Sequence, residues 1–456
     1  MTAFAWTARL VRAALGMPAA AWDHAYSGIS TDTRTLREGD LFVALEGERF
    51  DGHAFLGDAR AAGIRGAVVR AGTPRWTGFD WYEVPDTLAA YGRLARARRD
   101  AFAGRVVAVT GTNGKTSVKE LAAAAIGAAM PVHKSERNLN NLVGVPQTLL
   151  ALPDSAQAAV IECGANLRGE LGRMRDIVRP DVAVITNVGA GHLEGFGGLE
   201  QILEEKVSLV ARAPVAIVGT SPPDLPDAAR AVAARVVTVS ADGPADWTAE
   251  DVAVGPDGRP RFRVRGVAVT LPVPGRHQVV NALTALAIAD AVGLSLEEAA
   301  VGLARAELPG GRTAVREVEG VTLVDDTYNA NPASMTAALD LLQTLRGDRR
   351  TVVVVGTMRE LGPASGDLHA VIAERILEAR PDVVVAVGAF VPAFEALAGR
   401  LGPVRLVAGP TPVDVVPRLR EELRPGDVAL FKASRGVRLE QLFPILWPSL
   451  AGGEAH

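Results

Sequence analysis

The sequence predicts an α/β protein of three domains: a small α/β N-terminal domain, a central parallel-sheet P-loop domain and a C-terminal Rossmann-like α/β domain. Three observations lead there. At 456 residues the chain exceeds what one core supports, because single cores stop growing at roughly 250–300 residues. From Arg105 onward, the apolar runs VVAVT (106–110), AAVIE (158–162), DVAVIT (181–186) and VAIV (215–218) are separated by helical stretches, as buried parallel strands in βαβ units are. The alternation restarts after Gly310-Gly311-Arg312 with VTLVDD (321–326), TVVVVG (351–356), DVVVAVG (382–388), VRLVAG (404–409) and DVALFKAS (427–434). The boundaries follow as 1–85, 86–311 and 312–456.

In chain order, Trp6, Leu10 and Ala14 stand at helical spacing and predict a first amphipathic helix. Arg9 and Arg12 break up any signal-peptide core there. DLFVAL (40–45) and GAVVRA (66–71) are short strand candidates between turn-rich segments, and Asp86 to Ala103 reads as an Arg-rich connecting helix. The alternating segment 247–274 predicts an antiparallel hairpin insert, followed by an Ala-rich helix from Asn281 to Val292. The final third reads as a second parallel sheet with helices between its strands.

Composition excludes several classes. A net charge of −4 offers no electrostatic footprint for nucleic acid or a membrane surface. No apolar run approaches the ~20 residues of a bilayer span. Cys163 is the one cysteine, which rules out an internal disulfide framework, fits a reducing compartment and makes the cytoplasm the default. Only five of the 48 basic residues are lysine: Lys115, Lys119, Lys134, Lys206 and Lys432. In so Arg-biased a chain, a Lys draws notice as a place for a flexible point charge rather than a planar fork.

In open α/β sheets ligands bind beyond the carboxyl ends of the strands, so polar residues ending apolar runs are the places to look. VVAVTGTNGKTS is a strand, a glycine-bearing turn and a Lys-Thr opening a helix. Gly111, Thr112, Asn113 and Gly114 can turn backbone N–H groups toward an anion at a helix N-terminus. Lys115 can reach terminal phosphates, and Thr116 can bind the accompanying Mg²⁺. Only two residues separate Gly111 from Gly114, fewer than in the common GxxxxGK[ST] form. The loop indicates a nucleotide, not a reaction; its bland alternative is a glycine turn.

Glu162 ends the AAVIE run and is either an Mg²⁺ ligand or a helix-capping or solvent-facing carboxylate. His192, after ITNVGAG, is a ligand candidate against the commoner surface or core histidine. Lys206 falls on the apolar stripe Leu199, Ile202, Leu203, Leu209, Val210, with Glu204 and Glu205 turned away. A Lys on a buried stripe must pair, snorkel or lose its charge, so a salt bridge and a neutralised or carbamylated amine both stand. The run Asp325 to Pro332 is either a set of groups for ribose, phosphate or peptide or an Asx-rich turn before a helix. Lys432-Ala433-Ser434-Arg435 reads as a basic tip or an anion site.

With these residues in view, nearly the whole chain resembles the Mur ligase family. The short loop TGTNGKTS (110–117) is that family's own variant. NLNNLVGVPQTLL (138–150), IECGAN (161–166) and GHLEGFGG (191–198), with Lys206 fourteen residues past His192, are similar to its following segments. GRHQVVNALTALA (275–287) resembles its GxHNxxNxxAA element, with Gln278 where Asn is usual. TDTR (31–34), GDLFVAL (39–45) and GERFDGH (47–53) resemble the UDP-sugar-binding domain. VDDTYNANPASM (324–335) and GTMRELG (356–362) point to the subgroup that adds a dipeptide, not to the relatives that add the third amino acid, which carry a DYAH-type sequence there.

The resemblance implies an ATP-dependent ligase joining D-Ala-D-Ala to UDP-MurNAc-tripeptide through an acyl phosphate, in peptidoglycan precursor synthesis. It implies that Gly111 to Ser117 hold the ATP phosphates and Asn281 the adenine, and that Arg312 and Asp326 bring the C-terminal domain onto the nucleotide. Lys115, Glu162, His192 and Lys206 would be the catalytic set. Thr116 and Glu162 would hold one Mg²⁺, and His192 with a carbamylated Lys206 a second. Thr33, Arg34, Asp51 and His53 would meet the UDP-sugar, Asn138, Asn140 and Asn141 the muramoyl-peptide, and Asn329 and Asn331 the dipeptide. A monomer is expected, with closure about hinges near Ala103 and Gly310-Gly311 to exclude water from the acyl phosphate. The competing readings are a ligase on the same scaffold that adds a single amino acid, and a nucleotide-switched P-loop protein without ligase chemistry.

Overall fold

The structure, a computed structural model, describes residues 4–20, 23–47, 50–191 and 193–450. Chain contacts divide it into two compact units. The first comprises Met1–Ala108, Met130–Ala165 and Gly169–Asp181; the second comprises Val109–Ala129, Asn166–Arg168 and Val182–His456.

In the first unit, four parallel strands run in the order Ile29–Ser30, Leu41–Val43, Gly66–Arg70 and Asp80–Val84. Side chains alternate across a strand, and both faces are covered: Leu41 and Val43 join a core with Val11, Tyr82 and Leu94, while Phe42 and Ala44 join one with Leu56, Ala59 and Val69. The Arg-rich helix is Thr87–Asp100, with the Asp86 carboxylate accepting from Ala89 N–H at 2.9 Å. Two of its arginines tie it to neighbouring segments. Arg98, buried, donates to the Leu152 carbonyl at 2.6 Å and to Asp154 at 2.8 Å, and Arg99 donates to Asp181 at 2.9 Å. The first helix differs from the sequence pattern. Thr7 caps it, so it spans Ala8–Ala14; Trp6 lies before it and pairs with Tyr26 in a short antiparallel ladder, and Ala8 and Val11 are buried in the core, with Leu10 and Ala14 partly buried against it.

A seven-stranded sheet takes the order Trp247–Thr248, Val236–Ser240, Val215–Gly219, Val182–Ile185, Arg105–Thr110, Ala158–Glu162, Val132–Lys134. The predicted runs are all present. Val132–Lys134 and Val236–Ser240 are additions, and Trp247–Thr248 is a correction. These two residues pair in parallel with Val239 and Ser240, so the antiparallel insert begins at Glu250 with strands Glu250–Val254, Pro260–Val264 and Val267–Thr270. The Ala-rich helix starts earlier than expected and covers Gln278–Ala291.

The C-terminal sheet has six strands in the order Ala314–Val318, Val321–Asp326, Val428–Lys432, Thr351–Gly356, Val383–Val387 and Arg405–Gly409. It is parallel except at one edge, where Ala314–Val318 runs antiparallel to Val321–Asp326. Glu319 and Gly320 connect that pair with φ values of 50° and 81°, the two positive φ angles that a two-residue hairpin requires. Alternate residues of Thr351–Gly356 serve separate cores: Val353 and Val355 on one face, Val352 and Val354 on the other. Among the described residues no helix is long and apolar enough to cross a membrane.

Candidate active site

The phosphate loop links the strand Arg105–Thr110 to the helix Lys115–Gly127. Gly111 has φ 151°, and a Cβ there would lie 1.8 Å from Thr186 Oγ1. Gly114 has φ 80°, and its Cβ would lie 2.6 Å from Asn281 Oδ1. Both positions therefore require glycine, one for space and the other for handedness as well.

The segment after the next strand braces the loop. Thr112 N–H donates to the Asn187 carbonyl at 2.9 Å, and Asn113 N–H donates to Asn187 Oδ1 at 3.0 Å. Thr186 Oγ1 and Asn187 Nδ2 donate to the Asn113 carbonyl at 2.5 and 3.1 Å. Gly189 N–H donates to Thr112 Oγ1 at 3.0 Å. Thr186 and Asn187 were missed in the sequence, although they end an apolar run as Glu162 does. Lys115 Nζ donates to the Gly111 and Thr112 carbonyls at 2.8 and 3.2 Å, holding its ammonium over the loop. Thr116 and Ser117 are buried in the first turn of the helix.

Asn281 stands behind Gly114. Its Nδ2 donates to Gln278 Oε1 at 2.9 Å, and Gln278 Nε2 lies 3.0 Å from His277 Nε2. Gln278, the departure from the family pattern, thus orients Asn281.

Lys206 lies on the helix Leu199–Val210 and is 3% exposed. The stripe differs in detail from the expected one: Leu199 is exposed, while Glu205, expected to face outward, is buried beside Lys206. Burial, aided by the positive charge of Lys115, pushes the Lys206 amine down to about 7 against the opposing pull of Glu205.

The parallel register places Asp326 opposite Lys432. Lys432 Nζ, fully buried, donates to Asp326 Oδ2 at 2.5 Å and to the Asn329 carbonyl at 2.9 Å. Asp326 Oδ1 accepts from Thr313 N–H at 3.0 Å, and the Arg312 guanidinium lies 3.9 Å from the Tyr328 ring centroid. The sequence suggested a basic tip or an anion site at Lys432; the structure makes it the internal partner of Asp326. Asn331 caps the helix Pro332–Arg346, and its Nδ2 donates to Asn113 Oδ1 at 2.7 Å. The two loops, one from each parallel sheet, therefore meet within the second unit.

In the first unit Glu162 is buried at the end of its strand. Its Oε1 accepts from Asn140 Nδ2 at 2.9 Å, and its N–H donates to Ser135 Oγ at 3.0 Å. Asn141 Oδ1 accepts from Gly144 N–H at 2.8 Å, and Asn138 is exposed. Asp51 and His53 come together at 2.5 Å, with His53 Nε2 accepting from Arg70 N–H at 2.9 Å. His53, Arg70 and Trp76 help line a cavity of about 400 Å³. Thr33 and Arg34 occupy a separate turn, where Arg34 forms a fork with Asp32. His192 lies outside the described residues.

Three family descriptions match the chain: "Mur ligase family, catalytic domain" over 25–99, "Mur ligase middle domain" over 109–289 and "Mur ligase, glutamate ligase domain" over 311–435. The chain is 34% identical to the UDP-N-acetylmuramoyl-tripeptide–D-alanyl-D-alanine ligase of Bacillus subtilis (strain 168), over 91% of this chain and 92% of the relative. A crystal structure of MurF from Acinetobacter baumannii aligns with a TM-score of 0.87 at 33% identity, covering 98% of this chain and 99% of that one. MurF ligase from Thermotoga maritima in complex with ADP aligns with a TM-score of 0.82 at 29% identity, over 93% and 98%. The chain belongs to the Mur ligase family.

Proposed function

We propose that this chain is an ATP-dependent amide ligase that joins D-Ala-D-Ala to the terminal carboxylate of UDP-MurNAc-tripeptide, giving UDP-MurNAc-pentapeptide, ADP and phosphate. The observation that carries the reading is the meeting of the GTNGKT loop with the VDDTYNANP segment through Asn113 and Asn331. A nucleotide switch without ligase chemistry has no need of a second sheet delivering polar groups to its phosphate loop. The near end-to-end match to ligases named for the dipeptide supports the substrate assignment.

Amide formation from a carboxylate in water is uphill, so the carboxylate is first activated. Its oxygen attacks the γ-phosphorus of ATP, ADP leaves, and an acyl phosphate forms. The dipeptide amine then attacks the acyl carbon, and phosphate leaves with the bonding pair of the C–O bond. The loop Gly111 to Ser117 orients the phosphates and Lys115 neutralises them. Asn281 faces the adenine, and Arg312 and Asp326 approach the nucleotide from the C-terminal side. Asn138, Asn140 and Asn141 serve the muramoyl-peptide, Asn329 and Asn331 the dipeptide, and Thr33, Arg34, Asp51 and His53 the UDP-sugar. Three domains, 1–85, 86–311 and 312–456, hinge near Ala103 and Gly310-Gly311 to keep water from the acyl phosphate. The chain acts in the cytoplasm as a monomer.

Thr116 and Glu162 are the proposed holders of one Mg²⁺, and His192 with a carbamylated Lys206 of a second. Such ions seek oxygen, and the second fits only if Lys206 is not an ammonium, which would repel it. A buried amine titrating near 7 supplies the neutral nucleophile that CO₂ needs to form a carbamate, and the carbamate presents two oxygens. Bound Mg²⁺ would neutralise charge on the transferring phosphoryl group.

Two assays test the reading. ADP release with ATP and UDP-MurNAc-tripeptide is expected to depend on D-Ala-D-Ala; equal turnover with single amino acids would point to another ligase of the same scaffold. Lys206→Ala is expected to be almost inactive and to recover some rate with a small carboxylic acid. Full activity of that variant would sink the carbamate.

A further inference from the structure

The Asn113–Asn331 contact joins residues 218 apart in sequence, and both of its ends are fixed independently. On one side, the Asn113 carbonyl accepts from Thr186 Oγ1 and Asn187 Nδ2, and its N–H donates to Asn187 Oδ1. On the other, Asn331 Oδ1 accepts from Ser334 N–H at 3.0 Å, and Asn331 N–H donates to Ser334 Oγ at 3.0 Å, closing a capping box. The carboxamides face each other with Asn331 Nδ2 to Asn113 Oδ1 at 2.7 Å and Asn113 Nδ2 to Asn331 Oδ1 at 3.3 Å. The cap fixes which way the pair points: rotating Asn331 by half a turn would set its NH₂ against the Ser334 N–H. Asn331 is buried, where a hydrogen bond is stronger than in water and a lost partner costs more.

We propose that the reciprocal Asn113–Asn331 amide pair is a latch, and that Asn331 is a positioning residue for phosphoryl transfer. When made, it clamps the phosphate loop to the segment carrying Asp326, Tyr328 and Asn329. Nucleotide geometry and the dipeptide side of the site are thereby set in one step. Asn331 Nδ2 carries two hydrogens, so one holds Asn113 while the other stays available to the dipeptide. This inference rests on the ligase reading for its kinetic test.

The test is a double-mutant cycle with Asn113→Ala and Asn331→Ser, serine being a competent N-cap that is too short to reach Asn113. Each single variant is expected to lower kcat by about threefold to tenfold, the worth of one or two hydrogen bonds, and Asn113→Ala, which removes no dipeptide contact, to leave the KM for D-Ala-D-Ala unchanged. The double variant is expected to lose no more than either single one. Losses that multiply, or an Asn113→Ala variant with wild-type kcat, would overturn the latch. Hydrogen exchange on the full chain gives a readout that needs no turnover. Asn331→Ser should speed exchange across 111–117 while Tm changes little, and unchanged exchange there would also overturn it. Wild-type chain that releases no ADP would refute the ligase reading and leave the latch to stand or fall on exchange.

Discussion

Lys206 shows how much a single position can carry. A charged amine at 3% exposure is costly, and the fold lowers that cost by letting it titrate near 7. The consequence for stability has a definite sign. A solvated lysine titrates at 10.5 and the folded one at about 7, so between these values the unfolded chain holds the extra proton and stability rises with pH. At and below pH 7 the full penalty is present. Lys206→Met, uncharged and similar in length, is therefore expected to raise Tm most at neutral pH and progressively less toward pH 10. The comparison is made by thermal unfolding in bicarbonate-free buffer, and an equal rise across that range would contradict it. Lys115 and Glu205 are the charged neighbours acting on this amine, in opposite directions.

At the scale of elements, the phosphate loop is a strand-to-helix connection whose shape is set by two glycines. Gly114→Ala must adopt φ near 80° and push its Cβ to within 2.6 Å of Asn281 Oδ1. The left-handed conformation alone costs roughly 1–2 kcal/mol, and displacement of Asn281 adds to it. The variant is expected to fold with a lowered Tm and to lose most ADP release. Wild-type turnover from Gly114→Ala would show that the loop geometry is not needed. The supports of this loop were less legible. Thr186 and Asn187 lie 73 and 74 residues from the Asn113 carbonyl they hold, and nothing local marks them beyond standing at the end of an apolar run. The C-terminal hairpin was not legible, because Ala314–Val318 reads AVREV, not an apolar run, and Glu-Gly is not one of the dipeptides that mark a two-residue turn. Nor was Trp247–Thr248, because a two-residue strand carries no period of its own.

For the whole molecule, the sequence by itself determined the long apolar strands of the two parallel sheets and the helices between them, the glycine loop and the placement of a lysine on a buried stripe. All of these are local patterns: a period of two or 3.6, a positive φ, a polar residue ending an apolar run. Only the tertiary structure decided that Asp326 faces Lys432 across 106 residues, that Asn331 reaches Asn113 across 218, and that Glu205 turns inward beside Lys206. Those outcomes depend on strand order and on which elements pack together. Neighbours along the chain do not encode either, because the contacts that select them form only once distant segments have been brought together.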